Sequence, residues 1–359
     1  MRVRVAISVA AVVVTLLPHL PAAARSRGSF TKHHYAAADP GLSRDYWVYR
    51  PSRLAGRRVP LIVYLHGCEQ DARDAAFGTR WNALAEKKGF IAVYPDQRID
   101  QTVDGDAASH GNGTECWNWF NPDDETRGAG EAGTIAGVTR RVIASYPVDR
   151  RRVYVLGVSA GADMSVIMGA SYPDIFAAIG ILAGCAYATC TDADGSKAYA
   201  EMGPRARVMP VIAMQSATDN LNPFPFGEGM VQQWLGTDDL ADNGTADGSV
   251  SRMPASTEDH GLDSTLLAGL GSPGDVCARP QHWGCPGGAA GFKGSYPYTV
   301  QHFVDAKGRP LVDFWIVYGA THAYLGGDPN YKWTDPLGPN VTEAAYRFFM
   351  AHPMEGRKR

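Results

Sequence analysis

The sharpest chemical signal in the sequence is a serine between two glycines, where residues 157–161 read Gly-Val-Ser-Ala-Gly. A run of apolar residues typical of a strand precedes this pattern at 153–156, and a helical pattern follows it at 160–171. In that context the glycines allow a turn too tight for side chains, so the serine hydroxyl is exposed at the strand end. The pattern therefore predicts a nucleophile elbow with Ser159 as the nucleophile.

A serine hydroxyl is a weak nucleophile at neutral pH and needs a neighbouring base. After an elbow of this kind, the acid and the histidine follow in that order along the chain. Asp219 comes soon after a strand pattern at 210–214, and His322 comes soon after one at 314–318. Because the carboxyl ends of parallel strands meet at one edge of a sheet, we predict a catalytic triad of Ser159, Asp219 and His322.

Other residues could fill the acid and base positions. His260 and His282 lie in a polar segment and are more typical of a solvated surface, and His302 lies in a predicted hairpin strand. His66 is too early in the order for the base, and we expect it to pack beneath its loop. Three aspartates that follow Asp219 along the chain are alternative acids: Asp238, Asp239 and Asp242.

Two backbone N–H groups are candidates for an oxyanion hole, which stabilises the negative charge that develops during acyl transfer. Ala160 directly follows the nucleophile, and the loop after the early strand at 59–65 carries the second candidate, Cys68. Next to it, Gly67 would let the backbone approach a substrate. We predict that the N–H groups of Cys68 and Ala160 are the two donors.

Strand and helix patterns alternate along most of the chain. Buried-strand patterns occur at 59–65, 90–94, 153–156, 177–182, 210–214 and 314–318, and helical patterns at 81–88, 131–146, 160–171 and 342–350. This alternation predicts an α/β fold with a mainly parallel sheet and helices on both faces, and the elbow makes it the α/β-hydrolase fold. Residues 29–51 predict edge strands, and 298–304 with 311–317 predict a hairpin.

Residues 220–300 interrupt the alternation with many Gly, Asp and Ser residues. We interpret them as an insertion between the acid and the histidine, with a short helix near 230–235. The sequence does not indicate whether this insertion acts as a lid.

The first 24 residues have the composition of an export signal. Arg2 and Arg4 precede an apolar run at 5–17, and three alanines follow at 22–24. The run is shorter than a bilayer span, which argues against a membrane anchor. We predict a signal peptide at 1–24 that is cleaved near Ala24, a catalytic domain at 25–359, and a secreted protein, extracellular or periplasmic.

The composition is that of a globular protein, with 45% hydrophobic residues and a formal net charge of −3. This balance excludes a chain that is mostly disordered and a nucleic-acid binder driven by basic charge. We expect no nucleic-acid partner and no stable membrane insertion. The oligomeric state is not predicted.

Export makes disulfides the expected state of the six cysteines. Short loops favour Cys185–Cys190 and Cys277–Cys285, which leaves Cys68–Cys116, although the sequence alone does not fix the pairing. Zinc is the alternative, but the sequence contains no Cys-x-x-Cys pair and no histidine at zinc-finger spacing. We predict no metal and no cofactor.

Several motifs, in this order, resemble the poly(3-hydroxybutyrate) depolymerase family of α/β hydrolases. They are Leu-His-Gly-Cys-Glu-Gln at 65–70, Cys-Trp-Asn-Trp-Phe at 116–120, the elbow at 157–161, Tyr-Pro-Tyr-Thr at 296–299, and His-Ala at 322–323 with Gly-Gly at 326–327. Members cleave esters of short 3-hydroxyacids or, as feruloyl and acetylxylan esterases, esters of plant-wall sugars. The resemblance implies the same triad, the Cys68 donor, and Trp117 or Trp119 near the substrate cleft.

The chain departs from the family pattern twice. Gln215 stands where members often have the histidine of His-Gly-x-x-Asp, and Tyr324 with Leu325 stands where they often have Trp-Ser. Both departures affect the rim of the site and hence the choice of substrate. We predict substrate contacts from Trp117, Trp119 and Tyr324.

Three functions follow as hypotheses. The first is an exported serine esterase that hydrolyses poly(3-hydroxybutyrate) or related 3-hydroxyacid (oligo)esters through an acyl-enzyme. The second keeps the chemistry but acts on feruloyl or acetyl esters of plant cell-wall polysaccharide. The third is a non-catalytic binding protein on a hydrolase scaffold, against which the complete set of nucleophile, acid and base argues.

Overall fold

The computed structural model describes residues 28–54, 56–97, 112–262 and 295–355. Its strands are β1 (Ser29–Tyr35), β2 (Arg44–Arg50), β3 (Val59–Leu65), β4 (Ile91–Pro95), β5 (Val148–Val158), β6 (Ala178–Leu182), β7 (Val211–Ser216), β8 (Ser256–His260), β9 (Tyr298–Val304), β10 (Pro310–Val317), β11 (Tyr324–Leu325) and β12 (Thr334–Asp335). Its α-helices are α1 (Trp81–Lys88), α2 (Gly130–Ser145), α3 (Ala160–Ser171), α4 (Tyr187–Cys190), α5 (Ser196–Met202), α6 (Phe224–Asn243) and α7 (Val341–Ala351). Shorter helical turns lie at Pro40–Leu42, Asp74–Gly78, Pro122–Asp124 and Gly203–Arg205.

The main sheet has the strand order β1-β2-β4-β3-β5-β6-β7-β10-β9-β8. Its six central strands, from β4 to β10, pair in parallel, and antiparallel strands extend it at both edges. The α/β-hydrolase fold predicted from the sequence is confirmed, as are the edge strands β1 and β2 and the hairpin of β9 and β10.

The parallel strands end together at one edge of the sheet. Their last pairs include Leu65 with Gly157, Val158 with Leu182, and Ser216 with Val317. The loops that follow β3, β5, β7 and β10 therefore start side by side, although long stretches of sequence separate them. These loops, together with Ala160 at the start of α3, carry the predicted triad and oxyanion residues.

Helices cover both faces of the sheet, because the central strands are buried on both sides and present apolar residues to each. Helices α2, α3, α5 and α6 pack on one face, where Ile135, Met164 and Trp234 are fully buried. Helices α1 and α7 cover the other face with Trp81 and Phe349. The two helical layers thus pack against the sheet whose edge carries the four loops.

The segment after Asp219 is more regular than its sequence indicates. Helix α6 has 20 residues and buries Met230, Val231 and Trp234 against the sheet, whereas the glycines in this stretch predict only a short helix near 230–235. Strand β8 is a polar edge strand whose five residues are all exposed, so no apolar pattern marks it. The structure thus adds one integral helix and one strand to the part of 220–300 that it describes.

Some predictions lie outside the described residues. These are the signal peptide at 1–24, the Cys277–Cys285 disulfide, and most of the second half of the predicted insertion. Within the described ranges, no helix has the length and the apolar character to cross a bilayer.

Candidate active site

The elbow after β5 places Ser159 in a conformation that serine rarely adopts. Its φ of 56° and ψ of −128° lie outside the common regions, and its N–H donates to the Leu182 carbonyl oxygen at 2.9 Å. Glycine is required on both sides, because an added Cβ at Gly157 would overlap the Gly161 carbonyl and one at Gly161 would overlap the Leu65 carbonyl. The local structure is that of the turn predicted from the sequence.

Asp219 and His322 form a buried pair where the loops after β7 and β10 meet. Their Oδ2 and Nδ1 atoms are 2.8 Å apart, and the side chains are 1% and 8% exposed. The other carboxylate oxygen, Oδ1, accepts from the N–H groups of Leu221 at 3.0 Å and Asn222 at 2.8 Å. Because the carboxylate accepts from Nδ1–H, the neutral imidazole is left with Nε2 as its proton acceptor.

A cavity of about 680 Å³ brings the predicted groups together. Ser159 and His322 both line it, and so do the two predicted oxyanion residues, Cys68 and Ala160. A nucleophile, an imidazole with a free acceptor and two N–H donors at one cavity are the components of acyl transfer. A larger groove of about 860 Å³ lies near the start of β3, at the opposite edge of the sheet, and contains none of these residues.

The oxyanion loop approaches the elbow closely. A Cβ at Gly67 would lie 3.2 Å from the Val158 carbonyl oxygen, so any residue larger than glycine would require a slight shift of its neighbours. Ala160 begins helix α3, whose first N–H groups have no acceptor within the helix. In the described part of the chain, no acceptor contacts the N–H of Cys68 or Ala160, which leaves both available to a substrate oxyanion.

Two buried polar side chains fix the position of this loop. Gln70 accepts from the Gly67 N–H at 3.0 Å and donates to the Lys332 carbonyl at 2.8 Å, which ties the loop to the segment after His322. His66 accepts from the Gln97 N–H at Nε2 (3.0 Å), so its Nδ1–H donates to the Gly67 carbonyl at 2.8 Å. Burial lowers the pKa of His66, which keeps the ring neutral in this structural role.

Two of the predicted disulfides are confirmed, and both border the cavity. Cys68–Cys116 joins the oxyanion loop to the segment that carries Trp119, and Cys185–Cys190 closes a short loop that also lines the cavity. The described residues contain no group of three or more His, Cys, Asp or Glu side chains that could hold a metal ion.

The predicted substrate contacts divide into one that lines the cavity and two that do not. Trp119 lines it, whereas Trp117 is fully buried and packs its ring 5.4 Å from that of His66. Tyr324 is also fully buried, and its hydroxyl lies 2.6 Å from Thr342 Oγ1. The prediction is therefore wrong for Trp117 and Tyr324, because both side chains are part of the core.

Several further apolar residues border the cavity although they lie far apart along the chain, and of these the sequence indicated only Phe120. Phe120, Leu221 and Phe226 are 48%, 59% and 45% exposed beside it. Trp333 also lines it, with its ring edge-on to His322 and the ring centres 6.2 Å apart. No local pattern marks these residues as neighbours, although Phe120 follows Trp119 in an aromatic motif.

Asp163 is a buried acid at the cavity that the sequence analysis did not single out. It lies in the first turn of α3, is 6% exposed, and accepts from the Cys185 N–H at 2.8 Å. Burial raises its pKa to about 7, and the bond from Cys185 opposes that shift.

The alternative acids and bases are occupied elsewhere. Asp238 accepts from the Met209 N–H at 2.7 Å, and Asp239 and Asp242 bind Ser249. His302 pairs with Asp313 at 2.7 Å on the antiparallel edge of the sheet, where His260 stacks on Tyr298. His282 lies outside the described residues.

Comparisons with known proteins find similarity to several esterases. The family model described as Esterase PHB depolymerase matches residues 44–253. Poly(3-hydroxyalkanoate) depolymerase C of Paucimonas lemoignei is 31% identical over 265 residues, which are 74% of this chain and 55% of that protein. Feruloyl esterase B of Neurospora crassa is 35% identical over 143 residues, 40% of this chain and 44% of that protein. The chain spans about half the length of the curated relatives it matches.

Among solved structures, an acetyl xylan esterase from Aspergillus awamori superposes with a TM-score of 0.60 at 18% identity. The match covers 90% of this chain and 100% of that one. At this identity the similarity establishes the fold alone.

Proposed function

Because the chain belongs to the PHB depolymerase family of esterases, we propose that it is an exported serine esterase that hydrolyses poly(3-hydroxybutyrate) or related 3-hydroxyacid (oligo)esters. The observation that carries the proposal is the hydrogen bond between His322 and Asp219, because His322 lines the same cavity as the strained Ser159. Family membership and site geometry support it independently.

The mechanism follows from the roles the groups can take. Ser159 Oγ attacks the ester carbonyl while His322 Nε2 takes its proton, and Asp219 stabilises the imidazolium that forms. The N–H groups of Cys68 and Ala160 bind the oxyanion of the tetrahedral intermediate. His322 then gives the proton to the leaving alkoxide, and water hydrolyses the acyl-enzyme in the reverse sequence of proton transfers.

The apolar residues at the cavity support a polyester or oligoester of low polarity as substrate. Phe120, Leu221 and Phe226 leave large side chains exposed beside Ser159 and His322, and Trp119 and Trp333 complete this border. Monomeric proteins rarely leave such residues grouped at the surface unless they bind something. An extended apolar ester can cover them, whereas a free sugar has hydroxyl groups that would lose water there.

Export is part of the proposal. The two confirmed disulfides are typical of oxidising compartments, and an exported enzyme can reach a polymer that lies outside the cell. Cleavage near Ala24 would release the mature chain.

The alternative substrate class is a feruloyl or acetyl ester of plant cell-wall polysaccharide. The relatives that match a shorter part of this chain, an acetylxylan esterase and a feruloyl esterase, favour this alternative. A panel of three substrates separates the alternatives: poly(3-hydroxybutyrate) film, soluble 3-hydroxybutyrate oligomer and methyl ferulate. Release of 3-hydroxybutyrate at a higher kcat/KM than release of ferulate is expected, and the reverse order would move the assignment to plant-wall esters.

The same panel tests the chemistry with Ser159→Ala. This variant removes only the hydroxyl, so the fold should persist by circular dichroism while turnover disappears. Retained hydrolysis by the variant on every substrate of the panel would rule out Ser159 as the nucleophile.

A further inference from the structure

Asp163 is a buried acid at the cavity to which the proposed mechanism gives no task. Its Oδ1 accepts from the Cys185 N–H at 2.8 Å, and in the described part of the chain Oδ2 has no hydrogen-bond partner. The side chain is only 6% exposed, yet Oδ2 keeps some access to solvent, so a ligand in the cavity can reach it. The residue lines the same cavity as Ser159 and His322.

The position of Asp163 relative to the nucleophile is set by helix geometry. Its N–H donates to the Ser159 carbonyl at 3.1 Å, so the two residues are one turn apart, roughly 5–6 Å along the axis. Side chains of a helix lean towards its N-terminus, which here is the end that faces the substrate. The anchored oxygen holds the carboxyl group in place beside the Cys185–Cys190 loop.

A hydroxyl group on the third carbon of an acyl unit matches this spacing. Three bonds of about 1.5 Å separate that oxygen from the carbonyl carbon, so the two atoms are roughly 3–4 Å apart. A hydrogen bond of about 2.8 Å from this hydroxyl group then reaches an acceptor that lies one helical turn from Ser159.

The protonation behaviour of Asp163 also suits a hydroxyl partner. Burial raises the pKa of Asp163 to about 7, so both forms are populated near neutral pH. A hydroxyl accepts from the protonated acid and donates to the carboxylate, and therefore pairs with either form. The other titratable groups around it are Glu69 and His322 at the cavity and Tyr187 on α4, which packs against α3.

We propose that Asp163 is a specificity-determining residue that binds the free 3-hydroxyl group of the acyl unit. The proposal rests on the proposed esterase function and goes beyond it, because it predicts which ester bond is preferred. Only the unit at the hydroxyl end of a polyester has a free 3-hydroxyl, since all others are esterified at that oxygen. The enzyme should therefore favour the ester bond next to that end.

The test compares small esters that share a leaving group: ethyl (R)-3-hydroxybutyrate, ethyl (R)-3-methoxybutyrate and ethyl butyrate. For the wild type, kcat/KM for the hydroxy ester should exceed that for butyrate by about tenfold, the usual contribution of one hydrogen bond to a polar buried group. Asp163→Ala should bring this ratio to about one. Asp192→Asn, at a buried acid that binds the backbone of α5 away from the cavity, should leave the ratio unchanged.

The methoxy ester gives a readout that a merely structural role would not move. Its oxygen can accept but not donate, so it should lose its bond as Asp163 ionises. The ratio of kcat/KM for hydroxy over methoxy ester should then rise about tenfold between about pH 6 and about pH 8.5. His322 acts on both substrates, so its ionisation cancels in the ratio. In Asp163→Asn, which keeps the shape and an acceptor for Cys185, the ratio should be flat.

The outcomes separate the two proposals. A wild type that hydrolyses hydroxy and unsubstituted esters equally, with a ratio independent of pH, would overturn the role of Asp163 and leave the esterase function intact. A folded wild type that hydrolyses none of the three esters and no polymer would overturn the esterase function, and the role of Asp163 with it.

Discussion

Replacing Asp219 with Asn should stop catalysis while preserving the local structure. In the wild type, Oδ1 accepts two backbone N–H groups and Oδ2 accepts from His322 Nδ1 at 2.8 Å. The amide oxygen of the introduced asparagine can keep both backbone bonds, and its NH₂ group then occupies the place of Oδ2. A donor that faces Nδ1 forces the proton onto Nε2, and the imidazole can no longer accept the proton of Ser159.

The expected loss is large because the change reverses the polarity of the bond that fixes the tautomer. The same substitution in a serine protease triad lowers kcat by about 10⁴, which corresponds to roughly 5.5 kcal/mol of transition-state stabilisation. The buried site makes a similar loss reasonable here, since Asp219 and His322 have little access to water that could replace the bond. The assay is kcat/KM on p-nitrophenyl acetate, with thermal unfolding measured in parallel.

Asp192→Asn is the matched control, because it makes the same chemical change at a buried acid outside the cavity. It should retain activity within about twofold, as expected for a change that does not touch the site. A loss of less than about tenfold in folded Asp219→Asn would refute the reasoning, since an imidazole in the wrong tautomer cannot act as the base.

Three further predictions follow from the structure. Replacing the cysteines of Cys68–Cys116 with serine should lower the unfolding free energy by about 4 kcal/mol, and the same change at Cys185–Cys190 should lower it by about 2 kcal/mol. The losses differ because the sequence separations of the two disulfides are 48 and 5. Equal losses in chemical denaturation would contradict this. Tyr324→Phe should cost about 1 kcal/mol through its bond to Thr342, with kcat/KM unchanged, and a raised KM for oligomers would restore Tyr324 to the substrate site. Burial raises the pKa of Asp163 from 3.8 to about 7, so the folded protein retains a proton there that the unfolded chain releases. The unfolding free energy should therefore fall as pH rises from about 4 to about 7, by up to about 1.4 kcal/mol per unit from this group, and Asp163→Asn should remove that slope; an unchanged slope would contradict the shift.

The sequence predicted the central elements well because their signals are local. The run at 59–65 is apolar throughout and bounded by polar residues, and it coincides with β3. The elbow needs its strand, turn and helix in direct succession, so Ser159 could be identified without a structure. The sequence predicted too short a helix for α6, because Pro225 and three glycines are poor helix formers. Tertiary packing of the buried residues keeps this stretch helical.

The border of the site could not be predicted in the same way. Trp117 and Trp119 are two residues apart, yet one lies in the core beside His66 and the other at the cavity. Both are aromatic residues in one short motif, and only the path of the loop, which the Cys68–Cys116 disulfide fixes, decides which of them lines the cavity. Asp163 was missed for a related reason. An acidic residue in the first turn of a helix interacts favourably with the helix dipole, so its presence there does not by itself indicate a binding role.

Reaction with a fluorophosphonate, followed by peptide mass spectrometry, tests the central claim most directly. Such a reagent modifies a serine that a neighbouring base activates and leaves ordinary serines unmodified. We expect one covalent adduct, on the peptide that contains Ser159, and no adduct in Ser159→Ala or folded His322→Ala. An unmodified Ser159 in active protein, or labelling that persists undiminished without His322, would contradict the account.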